Sequence, residues 1–116
     1  MSNSFSLLEK QLLALHYNGS YITNFELQEV AHDIGLQIDL ADREKMLKKL
    51  LQQASEHNKL SELANRLIKL LNDRLQTYQL LLQRFPKSAS IIQTYIQKTR
   101  STQLLVQQRL RTNPYE

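Results

Sequence analysis

The feature that most constrains this chain is an apolar repeat that continues without a break from residue 60 to residue 85. Its members are Leu60, Leu63, Leu67, Leu71, Leu75, Tyr78, Leu82 and Phe85. A spacing of three or four matches the turn of an α-helix and not the alternation of a strand. We therefore predict one helix over 59–85, about 40 Å long at 1.5 Å per residue. Pro86 ends it, because the residue before a proline is pushed out of the helical region.

A helix-start pattern marks three candidate helix starts elsewhere in the chain. In Ser/Thr-x-x-Glu/Gln, the first hydroxyl and the fourth side chain satisfy each other's free backbone N–H groups. The pattern begins at Ser6, Thr23 and Ser90. We predict a first helix over 6–17, a second helix after Thr23, and a last helix that starts at the third pattern.

The stretch FELQEVAHDIGLQIDL, residues 25–40, connects the second helix to a third. Gly35 is expected to end the second helix, since glycine adopts the left-handed closing conformation with the least strain. Leu36 and Ile38 are then expected to anchor the corner as buried residues. The positions expected to be buried on the second helix are Phe25, Leu27, Val30, Ala31 and Ile34.

These patterns predict an all-α fold, a helical bundle of about five helices. The third helix is capped by Asp39 or Asp42 and continues to residue 58. The length of 116 residues is that of one domain. Within this single helical domain, 1–116, we expect three shorter helices in 1–58 and a long C-terminal antiparallel helical hairpin in 59–111.

Charge is distributed unevenly along the chain. Residues 1–60 contain six basic and eight acidic residues, a net charge of −2, whereas residues 61–116 contain nine and three, a net charge of +6. No acidic residue lies between Arg74 and Tyr115. Because a surface of one sign attracts the opposite sign, this half favours an acidic protein partner. The candidate partner-binding residues are Arg84, Lys87, Lys98, Arg100, Arg109 and Arg111.

Patterns of catalytic or metal-binding residues are missing from the sequence. The chain has no Cys and only two Gly, which excludes a thiol nucleophile and a glycine-rich phosphate loop. Glu29 and His32 have the Glu-x-x-His spacing of di-iron bundles, but His16 and His57 have no carboxylate three positions earlier. We therefore predict no enzyme activity, no catalytic residue, no cofactor and no metal.

The sequence also predicts no association with a membrane. No apolar run approaches the roughly 18–20 residues that cross a bilayer. The opening MSNSFSLLEKQLL lacks the basic segment and the cleavage site of a signal peptide. We expect a soluble, cytoplasmic protein.

The first half of residues 24–50 has the spacing of a DNA-reading helix-turn-helix. Ala31 is followed four positions later by Gly35, as that motif requires. However, Asp39 and Asp42 would open the recognition helix, where their charges oppose the DNA phosphates. Nucleic-acid binding, through this element or through the basic C-terminal helices, is therefore the alternative function.

The leading hypothesis is a non-enzymatic protein–protein interaction or adaptor module. A hairpin about 40 Å long cannot be covered by helices of about 11–19 residues, so apolar surface should remain to be buried by a partner. The residues expected on that surface are Leu75, Tyr78, Leu82, Ile92, Tyr95 and Ile96. A homodimer that pairs two hairpins across a two-fold axis is the simplest way to bury them.

Three sequence features follow one another in the first two-thirds of the chain. Gly35 is followed by a Leu, a polar passage runs from Ala54 to Leu60, and Leu60 with Leu63 opens the next helix. In this order the segment 26–71 resembles the bacterial effector-associated and death-like helical adaptor domains. The resemblance implies homotypic protein–protein association through charged helix faces, without catalysis.

Overall fold

The computed structural model describes Lys10 and residues 22–111, and this part of the chain is all-helical, without strands. The predicted all-α class is therefore confirmed for this part of the chain. The described helices are α1 (Asn24–Asp33), α2 (Arg43–Glu56), α3 (Leu60–Arg84) and α4 (Ala89–Val106). A 3-10 turn, Pro86–Ser88, joins α3 to α4, and a π-helical turn, Gln107–Arg111, follows α4. Apart from Lys10, the predicted helix over 6–17 lies outside the described residues.

The first turn of α1 is closed by the capping box that the sequence predicts. The Thr23 hydroxyl accepts a hydrogen bond from the backbone N–H of Glu26 at 3.0 Å. In return, a carboxylate oxygen of Glu26 accepts one from the backbone N–H of Thr23 at 2.9 Å. This reciprocal bonding satisfies two donors that a helix start otherwise leaves free. The predicted start of this helix is confirmed.

A left-handed glycine closes α1. Gly35 has φ +84°, and its N–H donates to the carbonyl of His32 at 3.0 Å. The N–H of Leu36 donates to the carbonyl of Ala31 at 2.8 Å, which completes the pair of bonds that ends many helices. Leu36 and Ile38 are then buried as the predicted anchors of the corner.

The end of α2 is also closed by a residue in the left-handed conformation, in this case Asn58. Asn58 has φ +58°, and the N–H of Lys59 donates to the carbonyl of Ala54 at 2.7 Å. At the other end, Asp42 occupies the capping position, but its side chain makes no capping hydrogen bond. The boundaries expected for the third helix are therefore close to those observed, although the predicted carboxylate cap does not form.

The main core lies where the first half of α3 meets α1 and α2. Residues 63–71 of α3 supply its centre, and Val106 and Leu110 join it from α4 and the π-helical turn. Fully buried side chains of this core are Leu27, Val30, Met46, Leu50, Leu51, Leu63, Leu67, Leu71 and Val106. Burial of about ten such side chains, each contributing about 1.5–3 kcal/mol, makes this the main source of stability.

A smaller apolar cluster lies farther along α3 and contains residues of α3 and α4 alone. Its buried members are Leu75, Tyr78, Ile92 and Ile96. The rings of Tyr78 and Tyr95 are 5.7 Å apart, whereas Gln103, near the end of α4, donates to the carbonyl of Ile68 at 3.2 Å. The later residue of α4 thus contacts the earlier residue of α3 in these two pairs.

The start of α4 differs from the prediction. Ser90 was expected to cap this helix, but α4 begins at Ala89 with Ser88 in the capping position. The physical reason is Pro86, whose fixed φ suits the first position of a helical turn. The Ser88 N–H donates to the Phe85 carbonyl at 2.9 Å, so helical geometry is established before Ser90 is reached.

Two ion pairs hold α1 against α3. Arg74 Nη2 lies 2.6 Å from both carboxylate oxygens of Glu26, and Arg66 Nε lies 2.8 Å from Asp33 Oδ2. Burial by itself raises the pKa of Glu26. The bonds from the Thr23 backbone and from Arg74 outweigh burial, so the pKa of Glu26 is lowered from its ordinary 4.5.

The left-handed conformation of Gly35 predicts a specific cost of substitution. A Cβ added at this position would meet nothing closer than Lys59 Nζ at 4.0 Å, so backbone strain alone opposes it. We expect Gly35→Ala to lower the free energy of unfolding by about 1–2 kcal/mol. Urea denaturation measures this change. Gly35→Asn is the matched control and should cost less, because Asn tolerates this conformation; equal costs would contradict the explanation.

The pair between Glu26 and Arg74 predicts a pH-dependent contribution to stability. Because the pKa of Glu26 is lower when folded, its contribution is present above the unfolded pKa and is lost as the pH falls through the folded pKa. Glu26→Gln should therefore destabilise the protein at pH 7, and its deficit should shrink below about pH 4.5. Denaturation at both pH values tests this.

The control for that experiment is Glu29→Gln, which removes an exposed carboxylate from the same helix. It should change the free energy of unfolding by less than about 0.5 kcal/mol. A Glu26→Gln deficit that stays constant from pH 7 to acid pH would refute the role given to the pair.

Candidate interaction surfaces

The connected ends of α3 and α4 carry three large apolar side chains that face water. The exposed fractions are 59% for Leu80, 55% for Phe85 and 58% for Ile91. Arg84 and Lys87 are exposed in the same short stretch of chain. We call these five residues the tip. Grouped exposed apolar side chains are typical of surfaces that bind other molecules.

Within the described part of the chain, the tip is exposed because α3 and α4 are the only helices that meet there. Leu80 is the first of three consecutive Leu residues, and Ile91 precedes Ile92. Consecutive residues of a helix point about 100° apart, so one neighbouring helix cannot cover all of them. Ile92 turns inward and is buried, whereas Leu80 and Ile91 turn outward. Consecutive apolar residues are the sequence signal that could have predicted this surface. Periodicity alone did not predict that Leu80 and Ile91 would be exposed.

The six residues expected to form an exposed self-association surface are not exposed as predicted. Leu75, Tyr78, Ile92 and Ile96 are each no more than 9% exposed. Leu82 and Tyr95 are partly buried against them. That expectation of exposure was wrong, because α4 lies along α3 and each helix covers the apolar stripe of the other. Self-association itself remains a prediction.

The structure does not bring the predicted basic residues to one place. Arg84 and Lys87 belong to the tip, Lys98 and Arg100 are exposed in the second half of α4, and Arg109 is exposed in the π-helical turn. Lys87 and Arg109 are separated by about 30 Å at 1.5 Å per residue. The side chain of Arg111 lies outside the described residues. Of these residues, Arg84 and Lys87 lie beside the exposed apolar side chains of the tip.

A second surface is an open groove beside α1. Its volume is about 560 Å³, within the range of about 300–1,000 Å³ that is usual for binding clefts. All of its lining belongs to residues 25–39. The lining residues are Phe25, Glu26, Gln28, Glu29, His32, Leu36, Gln37, Ile38 and Asp39. We call this surface the α1 groove.

Side chains of α1 hold the far wall of the groove in place. Gln28 Nε2 donates to the carbonyl of Ile38 at 3.1 Å, and Asn24 Nδ2 donates to the carbonyl of Ala41 at 3.0 Å. These bonds hold residues 34–42, which connect α1 to α2, against α1. The connection therefore forms a defined wall.

The α1 groove combines an apolar lining with an acidic rim. Phe25 is 71% exposed, which corrects the expectation that it would be buried. Phe25 lies two positions before the buried Leu27, about 200° around the helix, so it faces away from the core. Glu29 and Asp39 are exposed carboxylates at the rim. The carboxylate of Glu26 is engaged by Arg74 and is less available to a ligand.

The groove and the tip are held apart by α3. The α1–α3 ion pairs join the start of α1 to Arg74 and the end of α1 to Arg66. The groove residues thus lie beside the part of α3 that precedes Arg74. Arg84, at the tip, is ten residues beyond Arg74, about 15 Å farther along the same helix. Because α3 is one continuous helix, the tip of a chain cannot reach the groove of that chain.

The connection between α1 and α2 also bears on the predicted helix-turn-helix. That motif joins its helices by a turn of about 3–4 residues. Here nine residues, 34–42, separate α1 from α2. The connection is therefore longer than the turn of that motif, and it contains the buried residues Leu36 and Ile38.

The described residues form neither a cluster of metal ligands nor a membrane-spanning helix. Among Lys10 and residues 22–111, no group of three or more His, Cys, Asp or Glu side chains is placed to hold a metal ion. The helices of that same part lack the combination of length and hydrophobicity that a membrane span needs.

Comparison with known proteins gives no family assignment. No family model matches the chain, and neither the curated proteins nor the solved structures contain a match. The tip and the α1 groove are therefore the observations from which function must be argued.

The part of α3 and α4 that contains the smaller apolar cluster should be less stable locally than the main core. Its cluster has four buried residues, whereas residues 63–71 of α3 lie in the main core. We expect the backbone amides of residues 78–82 to exchange hydrogen at least about tenfold faster than those of residues 63–71. Native-state hydrogen exchange followed by NMR measures both. Equal protection along α3 would show that the two clusters open as one unit.

Proposed function

We propose that this protein is a non-enzymatic protein-interaction module, and that the tip is its binding end. In this proposal α3, the Pro86–Ser88 turn and α4 act as one antiparallel helical hairpin that presents the tip. The partner is a protein with an apolar surface edged by carboxylates. The resemblance of residues 26–71 to adaptor domains, which associate with proteins, agrees with this proposal.

The observation that carries the proposal is the combination of three exposed apolar side chains with two cations at one end of the molecule. Leu80, Phe85 and Ile91 offer the apolar area, and they are each more than half exposed. Arg84 and Lys87 add positive charge, and no acidic residue lies between Arg74 and Tyr115. Apolar burial would supply affinity, while the cations would select acidic partners and speed association.

Nucleic-acid binding is the second candidate, supported by the exposed cations along α4. Lys98, Arg100 and Arg109 are exposed. Two observations favour the protein partner instead. Tyr78 is buried and its ring packs against that of Tyr95, which is partly buried, so both rings contribute to the protein's own packing. In addition, phosphates would not use the apolar side chains of the tip.

The proposal is tested with a synthetic amphipathic helix that carries Leu on one face and Glu along its edges. Fluorescence anisotropy of the labelled peptide should show saturable binding to the protein. Phe85→Ser should weaken that binding at least about tenfold, as expected for an aromatic side chain at the centre of an interface. Because Phe85 is exposed, the substitution should leave the fold intact, which circular dichroism checks.

Two controls make the result specific. Leu104→Ser removes a side chain with the same exposure, 56%, from the part of α4 away from the tip, and it should leave binding unchanged. The same peptide with Lys in place of Glu should bind at least about tenfold more weakly. Equal binding of both peptides, or equal losses in both variants, would refute the proposal. Tighter binding of a DNA duplex that falls steeply with salt would favour the second candidate.

A further inference from the structure

The α1 groove and the tip have complementary chemistry on the same chain. The groove has an apolar lining that includes Phe25, and its rim carries Glu29 and Asp39. The tip has an apolar centre that includes Phe85, and its flanks carry Arg84 and Lys87. Apolar surface thus matches apolar surface, and carboxylates match cations.

We propose that the tip of one chain binds in the α1 groove of a second copy, so that the protein associates head to tail. The inference rests on the proposed function, because it makes the groove the acidic, apolar partner surface that the tip selects. In the complex, Phe85 enters the groove beside Phe25, and Arg84 and Lys87 lie against Glu29 and Asp39.

A second copy is required because of the rigidity of α3. The groove lies beside the part of α3 that precedes Arg74, and the tip lies about 15 Å beyond that residue on the same helix. One chain therefore cannot fill its own groove with its own tip. A contact between two unlike surfaces leaves a free groove at one end and a free tip at the other, so further copies can add.

Charge argues against the simplest symmetric alternative, in which two tips pair with each other. Such a contact would place Arg84 and Lys87 of one chain beside the same two cations of the other. No acidic residue of either tip would offset them, because the sequence has none between Arg74 and Tyr115. Like charges brought together in an interface oppose association. Pairing of tip with groove brings opposite charges together instead.

The test uses two variants that each lose one surface. The groove variant carries Glu29→Lys and Asp39→Lys, and the tip variant carries Arg84→Glu and Lys87→Glu. All four residues are exposed, so both variants should fold, which circular dichroism checks. Analytical ultracentrifugation at low ionic strength should show that the mass of the wild type rises with concentration beyond that of a dimer. Each variant alone should have its self-affinity reduced at least about tenfold.

The decisive measurement is an equimolar mixture of the two variants. The groove variant keeps its tip, and the tip variant keeps its groove, so the mixture should associate although neither variant does so alone. Its second contact, between the Lys-bearing groove and the Glu-bearing tip, also joins opposite charges, so further copies can add. Combining all four substitutions in one chain exchanges the charges of the two surfaces and should restore association. The matched control, Lys98→Glu with Arg100→Glu, changes the net charge as much as the tip variant and should still associate.

Three outcomes would overturn the inference. They are a wild type that stays monomeric at high micromolar concentration, a groove variant that still dimerises, and a mixture that stays monomeric. None of them bears on the binding of the acidic peptide by the tip, which is measured separately with Phe85→Ser. Failure of the head-to-tail contact is thereby distinguished from failure of the proposed function.

Discussion

The length of α3 is the constraint on which the other helices depend. With 25 residues it extends for about 38 Å, while α1 and α2, with 10 and 14 residues, extend for about 15 and 21 Å. The two short helices can shield only the first half of α3. The second half has α4 beside it, and two helices bury only the stripes that face each other. The exposed tip is therefore a direct consequence of a difference in helix length.

The ion pairs between α1 and α3 determine where the groove lies relative to that tip. Arg74 binds the same carboxylate of Glu26 that closes the first turn of α1, so the helix start and the packing of α1 are fixed together. Arg66 holds Asp33 at the other end. With both ends fixed, α1 turns its outer side, including Phe25, toward water. The groove then opens beside the body of the molecule, away from the tip.

A molecule built in this way has two unlike surfaces joined by one continuous helix. The tip is apolar and basic, and the α1 groove is apolar with an acidic rim. Burial of apolar area supplies most of the free energy of association, whereas charge determines which surfaces meet. In the head-to-tail contact that we propose, the separation imposed by α3 keeps the tip of a chain away from the groove of the same chain. Because the charged residues are exposed, salt should weaken such contacts.

The sequence by itself determined the features that depend on neighbours in the chain. The capping box at Thr23, the closure at Gly35 and the continuous helix before Pro86 involve residues within a few positions of one another. Hydrogen bonding and backbone sterics over such short distances are readable from residue types. Ser90 was misassigned as a cap because the turn that begins at Pro86 had already started the helix.

Only the tertiary structure decided which apolar residues remain in water. Periodicity showed that Tyr78 and Ile96 lie on apolar stripes, but it could not show that α3 and α4 cover each other there. Phe25 was likewise expected in the core, but it faces water on the side of α1 opposite the buried Leu27. The α1 groove was missed for the same reason. Burial depends on which helix packs against which, and that is fixed by contacts between residues far apart in the sequence.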